Sequence, residues 1–242
     1  MGAEGTRSPE LPALKRVGHK GAAAVAPGNT REAFEAGLVL GADTIEFDVL
    51  RLADGRLVLA HDADEAATRT PMGLDEGLDL FVEQRYRAVE LDVDLKRPGY
   101  EAEVVTALRD RGLAERSLIS SNYLDSLDLV GELEPGLRRG WSVPRAERDY
   151  TQSALLKLPA RAFLIGMRAW LPRAAGRVLR EGRCEAVMAH HSLVGRRLVA
   201  AVHGARGVLY AWTVDDRHRI DALAALGVDG VITNDPGLFG RG

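Results

Sequence analysis

Three observations predict a TIM-like (β/α)8 barrel, an α/β fold built as a single domain. Short β-like runs alternate with helix-period runs along the whole 242-residue chain. Eight such strands fit this length better as a closed barrel than as an open doubly wound sheet. No linker-like segment divides the sequence.

The candidate strands are residues 16–19, 44–49, 89–95, 117–121, 137–141, 185–189, 208–213 and 230–233. Amphipathic stretches at 30–40, 100–111, 124–133, 193–203 and 217–226 lie between them as helices. Asn29-Thr30 opens the first of these as an N-cap. Gly41-Ala42-Asp43 and Gly227-Val228-Asp229 each precede a strand, as expected where glycine ends a helix. Two places break the alternation. Residues 144–182 are too long for one helix and contain Pro159 and Pro172, which predicts two helical pieces. After the second strand, Ala53-Asp54-Gly55-Arg56 leads into the apolar run 57–60, so an extra β-hairpin strand is expected there. With Asp54-Gly55 as a two-residue loop, Ala53 faces Arg56 and Asp48 falls opposite His61. The insertion before the third barrel strand reads as reduced.

Composition is that of a globular chain: 46% hydrophobic, 28% charged, net charge -3. That balance lacks the basic stripe of a nucleic-acid binder. The single Cys184 excludes an internal disulfide and fits a reducing compartment. No run reaches the roughly 18 apolar residues of a membrane span. Residues 1–14 have no apolar core of a secretory signal and are expected to be a loose tail before a barrel at 15–242, which makes a cytoplasmic location the default.

Chemistry concentrates in the first hundred residues: His19-Lys20, Glu46-Phe47-Asp48, His61-Asp62 and Asp92-Val93-Asp94-Leu95-Lys96. Carboxylates at alternate strand positions share a face. Charges gathered within apolar strands are costly without a partner, and a divalent cation would relieve that cost. In a parallel barrel the working face lies at the C-terminal strand ends. Glu46, Asp48 and Asp94 meet there as hard oxygen ligands suited to Mg²⁺ or Ca²⁺. Lys20 and Lys96 point positive charge at the same mouth, as a phosphate requires. His61 is open as ligand or base. Taken singly, each has a plainer reading: a solvated strand end for Glu46-x-Asp48, a structural histidine for His19 or His61, an N-cap for Asn29. Asp92 could simply hydrogen-bond a neighbouring loop, Trp212 could be core, Asp215-Asp216 loop caps, and His190-His191 a surface pair. Their joint placement at the strand ends is what favours a site.

These residues carry a resemblance. Gly18-His19-Lys20-Gly21, the stretches 26–34 and 41–49, Asp54-Gly55, His61-Asp62, Asp94-Leu95-Lys96, Ser120-Ser121, 210–215 and 227–236 look like the glycerophosphodiester phosphodiesterase family, in the correct order, over residues 17–238. The resemblance implies a TIM-like barrel that hydrolyses phosphodiesters with one divalent cation. It implies His19 and His61 as the general acid/base pair, Glu46, Asp48 and Asp94 as metal ligands, and Lys20 and Lys96 as phosphate contacts. Asn29, Asp92 and Trp212 would support or wall the site. The expected substrate is a small glycerophosphodiester, giving glycerol 3-phosphate and an alcohol. A phospholipase D- or sphingomyelinase D-like lyase and a non-catalytic phosphate-ligand binder are the alternatives. Three positions depart from the family pattern: Lys20 stands for Arg, Gly28 for Glu, and Asp94 for a longer Glu.

Overall fold

Strand β2 (Thr44–Arg51) is buried at seven of its eight residues, which only a sheet covered on both faces allows. The computed structural model describes residues 14–144 and 157–240. In it β1 (Lys15–Gly18), β2, β4 (Glu90–Leu95), β5 (Ser117–Ser121), β6 (Arg138–Val143), β7 (Ala186–His190), β8 (Val208–Trp212) and β9 (Gly230–Thr233) form a parallel ring. Pairing of β1 with both β9 and β2 closes it. Around it lie α1 (Arg31–Val39), α2 (Ala63–Thr68), α3 (Leu74–Val82), α4 (Glu101–Asp110), α5 (Leu124–Leu133), α6 (Lys157–Arg180), α7 (Arg196–Gly204) and α8 (Arg217–Leu226). The predicted barrel is therefore the fold. β3 (Leu57–Val58) pairs antiparallel with the end of β2, outside the ring.

The main core fills the space between ring and helices. Its aromatic part joins Phe34, Phe47 and Phe81, with Tyr86 set edge-on to Phe81. Each ring is fully buried, worth about 1.5–3 kcal/mol apiece on transfer from water. A second, smaller cluster of Val17, Leu118, Ala186, Met188, Tyr210 and Ile232 fills the ring's interior. At the floor, Glu90 pairs with Lys15 at 2.7 Å and with Arg138 at 3.2 Å.

Two expectations need correction. The hairpin forms, but its register is shifted by one residue: Leu50 faces Val58 and Arg51 faces Leu57. Leu52 N–H donates to Arg56 O at 2.9 Å, so the loop is the three residues Ala53, Asp54 and Gly55. Gly55 takes the left-handed backbone (φ 89°) that closes such a loop. A shift of one turns every side chain to the other face, so Asp48 and His61 are not cross-strand partners. The second correction concerns the prolines. A single 24-residue helix, α6, runs through Pro172. An interior proline costs about 3 kcal/mol, yet Leu171, Ala174, Ala175, Val178 and Leu179 are all buried around it. That packing outweighs the lost hydrogen bond. Residues 145–156, the rest of the expected two-piece region, lie outside the described residues, as do residues 1–13 of the expected tail. The stretch before β4 carries α2 and α3, which sequence periodicity did not single out. Among the described residues, no helix is long and apolar enough to cross a membrane.

Candidate active site

Parallel pairing sets the acidic residues in rows. Glu46 on β2 lies beside Asp92 on β4, and Asp48 lies beside Asp94. Oxygens of Glu46, Asp48 and Asp94 come within 4.8 Å of one another. Glu46 and Asp48 are buried and Asp94 is partly so. Burial, then the charges of Asp48, Asp92 and Asp94, push the Glu46 carboxyl well above the usual range. Burial also pushes Asp92 up to about 7, against a 2.6 Å hydrogen bond that Ser120 Oγ donates to it. Asp48 goes the other way, held low by the Lys96 and Lys20 ammonium groups that outweigh its burial. Lys96 Nζ sits 2.7 Å from Asp94 and 3.1 Å from Asp48. Lys20 Nζ is 3.3 Å from Asp48. Three convergent carboxylates with hard oxygen donors, one of them forced toward its neutral form, fit a hard divalent cation.

The turn after β1 brings Lys20 in. Gly21 has φ 90°, and a Cβ there would meet the backbone of Ala33 at 2.5 Å, so the turn can only close on glycine. Lys20 itself sits at φ 51°, a left-handed conformation that side chains other than glycine's hold only when the surroundings enforce it. Its N–H donates to Glu46 Oε2 at 2.7 Å, and its carbonyl accepts from Asn29 N–H at 3.1 Å. Gly28 packs against the lysine stem, where a Cβ would fall 2.8 Å from Lys20 Cβ. Asn29, also left-handed and buried, donates from Nδ2 to Asp48 Oδ2 at 2.9 Å. Asp48 N–H donates back to Asn29 Oδ1 at 3.1 Å, so one side chain fixes the central acid at two points.

His19 and His61 line one cavity of about 200 Å³ together with Glu46, Asp48, Asp94 and Lys96. The Asn234 carboxamide is oriented by Asp215, since Asn234 Nδ2 donates to Asp215 Oδ2 at 2.6 Å. Asn234 Oδ1 is therefore the acceptor at His19 Nδ1, 2.7 Å away. The proton lies on Nδ1, and Nε2, 3.9 Å from Glu46 Oε2, keeps its lone pair. Burial holds the His19 pKa below its ordinary value, with Asp48 opposing. His61 lies beyond β3, its Nδ1 3.0 Å from Asp62 Oδ2. Asp62 also caps α2, accepting from Glu65 N–H at 2.8 Å.

Asp92 also lines the cavity, and the rest of the wall is uncharged, formed by Ser120, Asn122, Ser142, Pro144, Met188, Trp212, Thr213 and Ile232. Trp212 Nε1 donates to Met188 O at 2.8 Å, which fixes the indole against the cavity. His190 packs edge-on to Trp212 with ring centroids 5.2 Å apart, and His191 lies tilted against His190 at 4.5 Å. The pair is half-buried and buttresses this wall; it is not a surface pair.

The structure thus gathers His19, Lys20, Glu46, Asp48, His61, Asp94 and Lys96, with Asn29 bonded to Asp48, Asp92 beside Glu46 in the strand register and held by Ser120, and Trp212 on the wall. Two residues escaped the sequence reading: Asn234, which bonds His19, and Glu65, which meets Lys20 Nζ at 3.2 Å; Asp215, read there as a loop cap or a wall of the site, holds Asn234. Asp216 is the helix cap expected of the Asp pair, accepting from Arg219 N–H at 2.7 Å, whereas Asp215 serves the histidine. Asn234 lay within the quoted 227–236 stretch, but nothing in the sequence paired it with Asp215.

The glycerophosphoryl diester phosphodiesterase family model matches residues 19–80 and 97–238, well over half of the chain. A glycerophosphodiester phosphodiesterase of Caldanaerobacter subterraneus is 28% identical over 257 residues, which cover 91% of this chain and 93% of the relative. The crystal structure of a glycerophosphodiester phosphodiesterase from Agrobacterium tumefaciens superposes with a TM-score of 0.68 at 20% identity, covering 93% of this chain and 98% of that one. An Oleispira antarctica phosphodiesterase, solved in complex with the product sn-glycerol-3-phosphate, gives 0.66 at 21% identity, covering 94% of both chains.

Proposed function

This chain belongs to the glycerophosphoryl diester phosphodiesterase family, a family of phosphoric diester hydrolases, and from that premise we propose that it cleaves glycerophosphodiesters to glycerol 3-phosphate and an alcohol with a histidine acid/base pair. The observation that carries this reading is the convergence of three carboxylates within 4.8 Å in a cavity that both histidines line. The relatives act on glycerophosphodiesters by name, and the Oleispira protein was captured with the matching product.

Glu46, Asp48 and Asp94 would hold one Mg²⁺ or Ca²⁺, which when bound supplies a Lewis acid for a phosphoryl oxygen. Lys20 and Lys96 hold the phosphate. Each ammonium has three donors, and the carboxylates beside it engage two at most. His19 is the base: its neutral ring and directed Nε2 take the proton from the attacking glycerol hydroxyl as the new P–O bond forms. His61 is the acid, with Asp62 as counter-charge for its imidazolium, and it protonates the departing alcohol as the old P–O bond breaks. The resulting cyclic phosphate is opened by water, with His61 now taking the water's proton and His19 returning its own to the glycerol oxygen. Each transfer is worth about 10²–10⁴-fold. The neutral wall with Trp212 faces the alcohol.

The test is turnover of glycerophosphodiesters followed by phosphorus NMR, with and without chelator. The expected result is chelator-sensitive release of glycerol 3-phosphate, lost in both His19→Ala and His61→Ala. Activity surviving both changes would sink the reading, and a cyclic phosphate that never opens would move the reaction to a lyase.

A further inference from the structure

We propose that Glu65 is a positioning residue that clasps the two histidine-bearing segments together and so sets the distance between acid and base; this rests on the roles given above to His19 and His61. His61 needs such a device. β3 is only two residues long, so the sheet does not carry its register as far as the histidine. The chain leaves the strand, Asp62 starts α2, and the first turn of that short helix turns Glu65 back toward the mouth.

One carboxylate then meets both sides of the gap. Glu65 Oε2 accepts from the His61 backbone N–H at 3.2 Å and from Lys20 Nζ at 3.2 Å. Its other oxygen accepts from Arg69 Nη2 at 3.1 Å, and Arg69 also donates to the Gly28 carbonyl. On one side stand His61 and Arg69, from the hairpin and the end of α2. On the other stand Lys20, next to His19, and Gly28, from the turn after β1. The lysine cannot swing away easily, because its stem lies across Gly28, with Cβ and Cδ 2.8 and 2.9 Å from where a glycine Cβ would stand. Glu65 is no deep core residue: its side chain is 24% exposed, so removing it leaves the barrel's apolar packing in place. A carboxylate has acceptor sites for all three donors at once, whereas a carboxamide has one oxygen and repels the others with its N–H groups.

Misplacing an acid relative to its base by about 1 Å can lower turnover about 10²-fold. Glu65→Ala is therefore expected to lower kcat about 10- to 100-fold. Removing it also frees Lys20 from a competing carboxylate, so KM stays level or falls. Glu65→Gln should recover part of kcat by keeping one acceptor. The second readout is hydrogen exchange by mass spectrometry. Glu65→Ala should speed exchange in peptides covering residues 59–69, with strand peptides from β4 to β8 unchanged. Exchange that does not change at 59–69 overturns the clasp. Faster exchange with unaltered kcat, or a rise in KM alone, overturns its role in positioning. If Glu65→Ala does not fold, Glu65→Gln carries the same two readouts with smaller amplitudes. A wild-type chain that turns over no glycerophosphodiester defeats the proposed function, while the exchange comparison still decides the clasp.

Discussion

His19 and His61 line one cavity from opposite kinds of scaffold. His19 directly follows barrel strand β1, and its backbone N–H donates to Thr233 O on the neighbouring strand at 2.8 Å. Its ring is 24% exposed and bonded to Asn234, which Asp215 in turn holds. His61 stands outside the ring, past a two-residue strand, with 48% of its side chain exposed. Its partner Asp62 is the next residue along and is 54% exposed. The contrast separates two requirements of proton transfer. A base works best when it is desolvated, neutral and aimed before substrate arrives. An acid has to be reloaded with a proton, and exposure with a counter-charge provides that.

Removing either imidazole breaks the comparison outright. His19→Ala and His61→Ala should each lower turnover by about 10²–10⁴-fold with circular dichroism unchanged; a large loss in one and none in the other would leave a single-histidine mechanism. Next in size is the support of each ring. Asn234→Ala lets His19 choose its tautomer and should lower kcat by about 10–100-fold, whereas Asp62→Asn keeps an oxygen to cap α2, removes only an exposed charge beside His61, and should lower it only about threefold. Steady-state kinetics that reversed this order would mean that His61 is the pre-set ring. The pH profile sharpens the point. Burial holds the His19 pKa below the ordinary 6.5, so the ring stays neutral, and competent as base, until the pH has dropped beneath that value. The acid limb of kcat/KM should accordingly lie below 6.5. Stability has the same sign: as pH falls through 6.5 the unfolded chain takes the proton first, so the wild-type thermal midpoint should fall more than that of His19→Gln. The smallest effect is expected at the hairpin tip. Gly55 has φ 89° with open space where a Cβ would go, so Gly55→Ala adds backbone strain alone, about 1–2 kcal/mol. It should lower kcat a few-fold through His61 and leave hydrogen exchange at His19 unchanged.

The same contrast governs how much could be read from the chain. The ring and its acidic rows were legible because side chains on a strand alternate with period two, so Glu46, Asp48, Asp92 and Asp94 announce a shared face. The hairpin was legible as a turn but not in register. Asp54-Gly55 serves a two-residue loop and a three-residue loop equally well, and the choice fell to Gly55 adopting the left-handed backbone as third residue. α2 has no buried residue, hence no apolar stripe to reveal it. α3 hides behind Gly77, where a Cβ would come within 2.5 Å of Leu59; a glycine kept for close packing looks in the sequence like a break. The supports of the site were the least legible. Asp215 meets Asn234 across two strand ends, and Glu65 meets Lys20 across 45 positions. No local pattern encodes such a meeting; it exists only once distant strands have paired.

Closure has a consequence in time as well as in space. By the time residue 96 has been synthesised, the nascent chain holds every carboxylate, lysine and imidazole assigned to the reaction. The partners that aim His19 are still unmade, because Asp215 follows β8 and Asn234 follows β9, the strand whose pairing with β1 shuts the ring. On the roles proposed above, the unfinished chain would carry acid, phosphate grip and metal ligands, while the proposed base would gain its direction only when the final strand docks. The seam between first and last strands is therefore where the proposed base would acquire its aim.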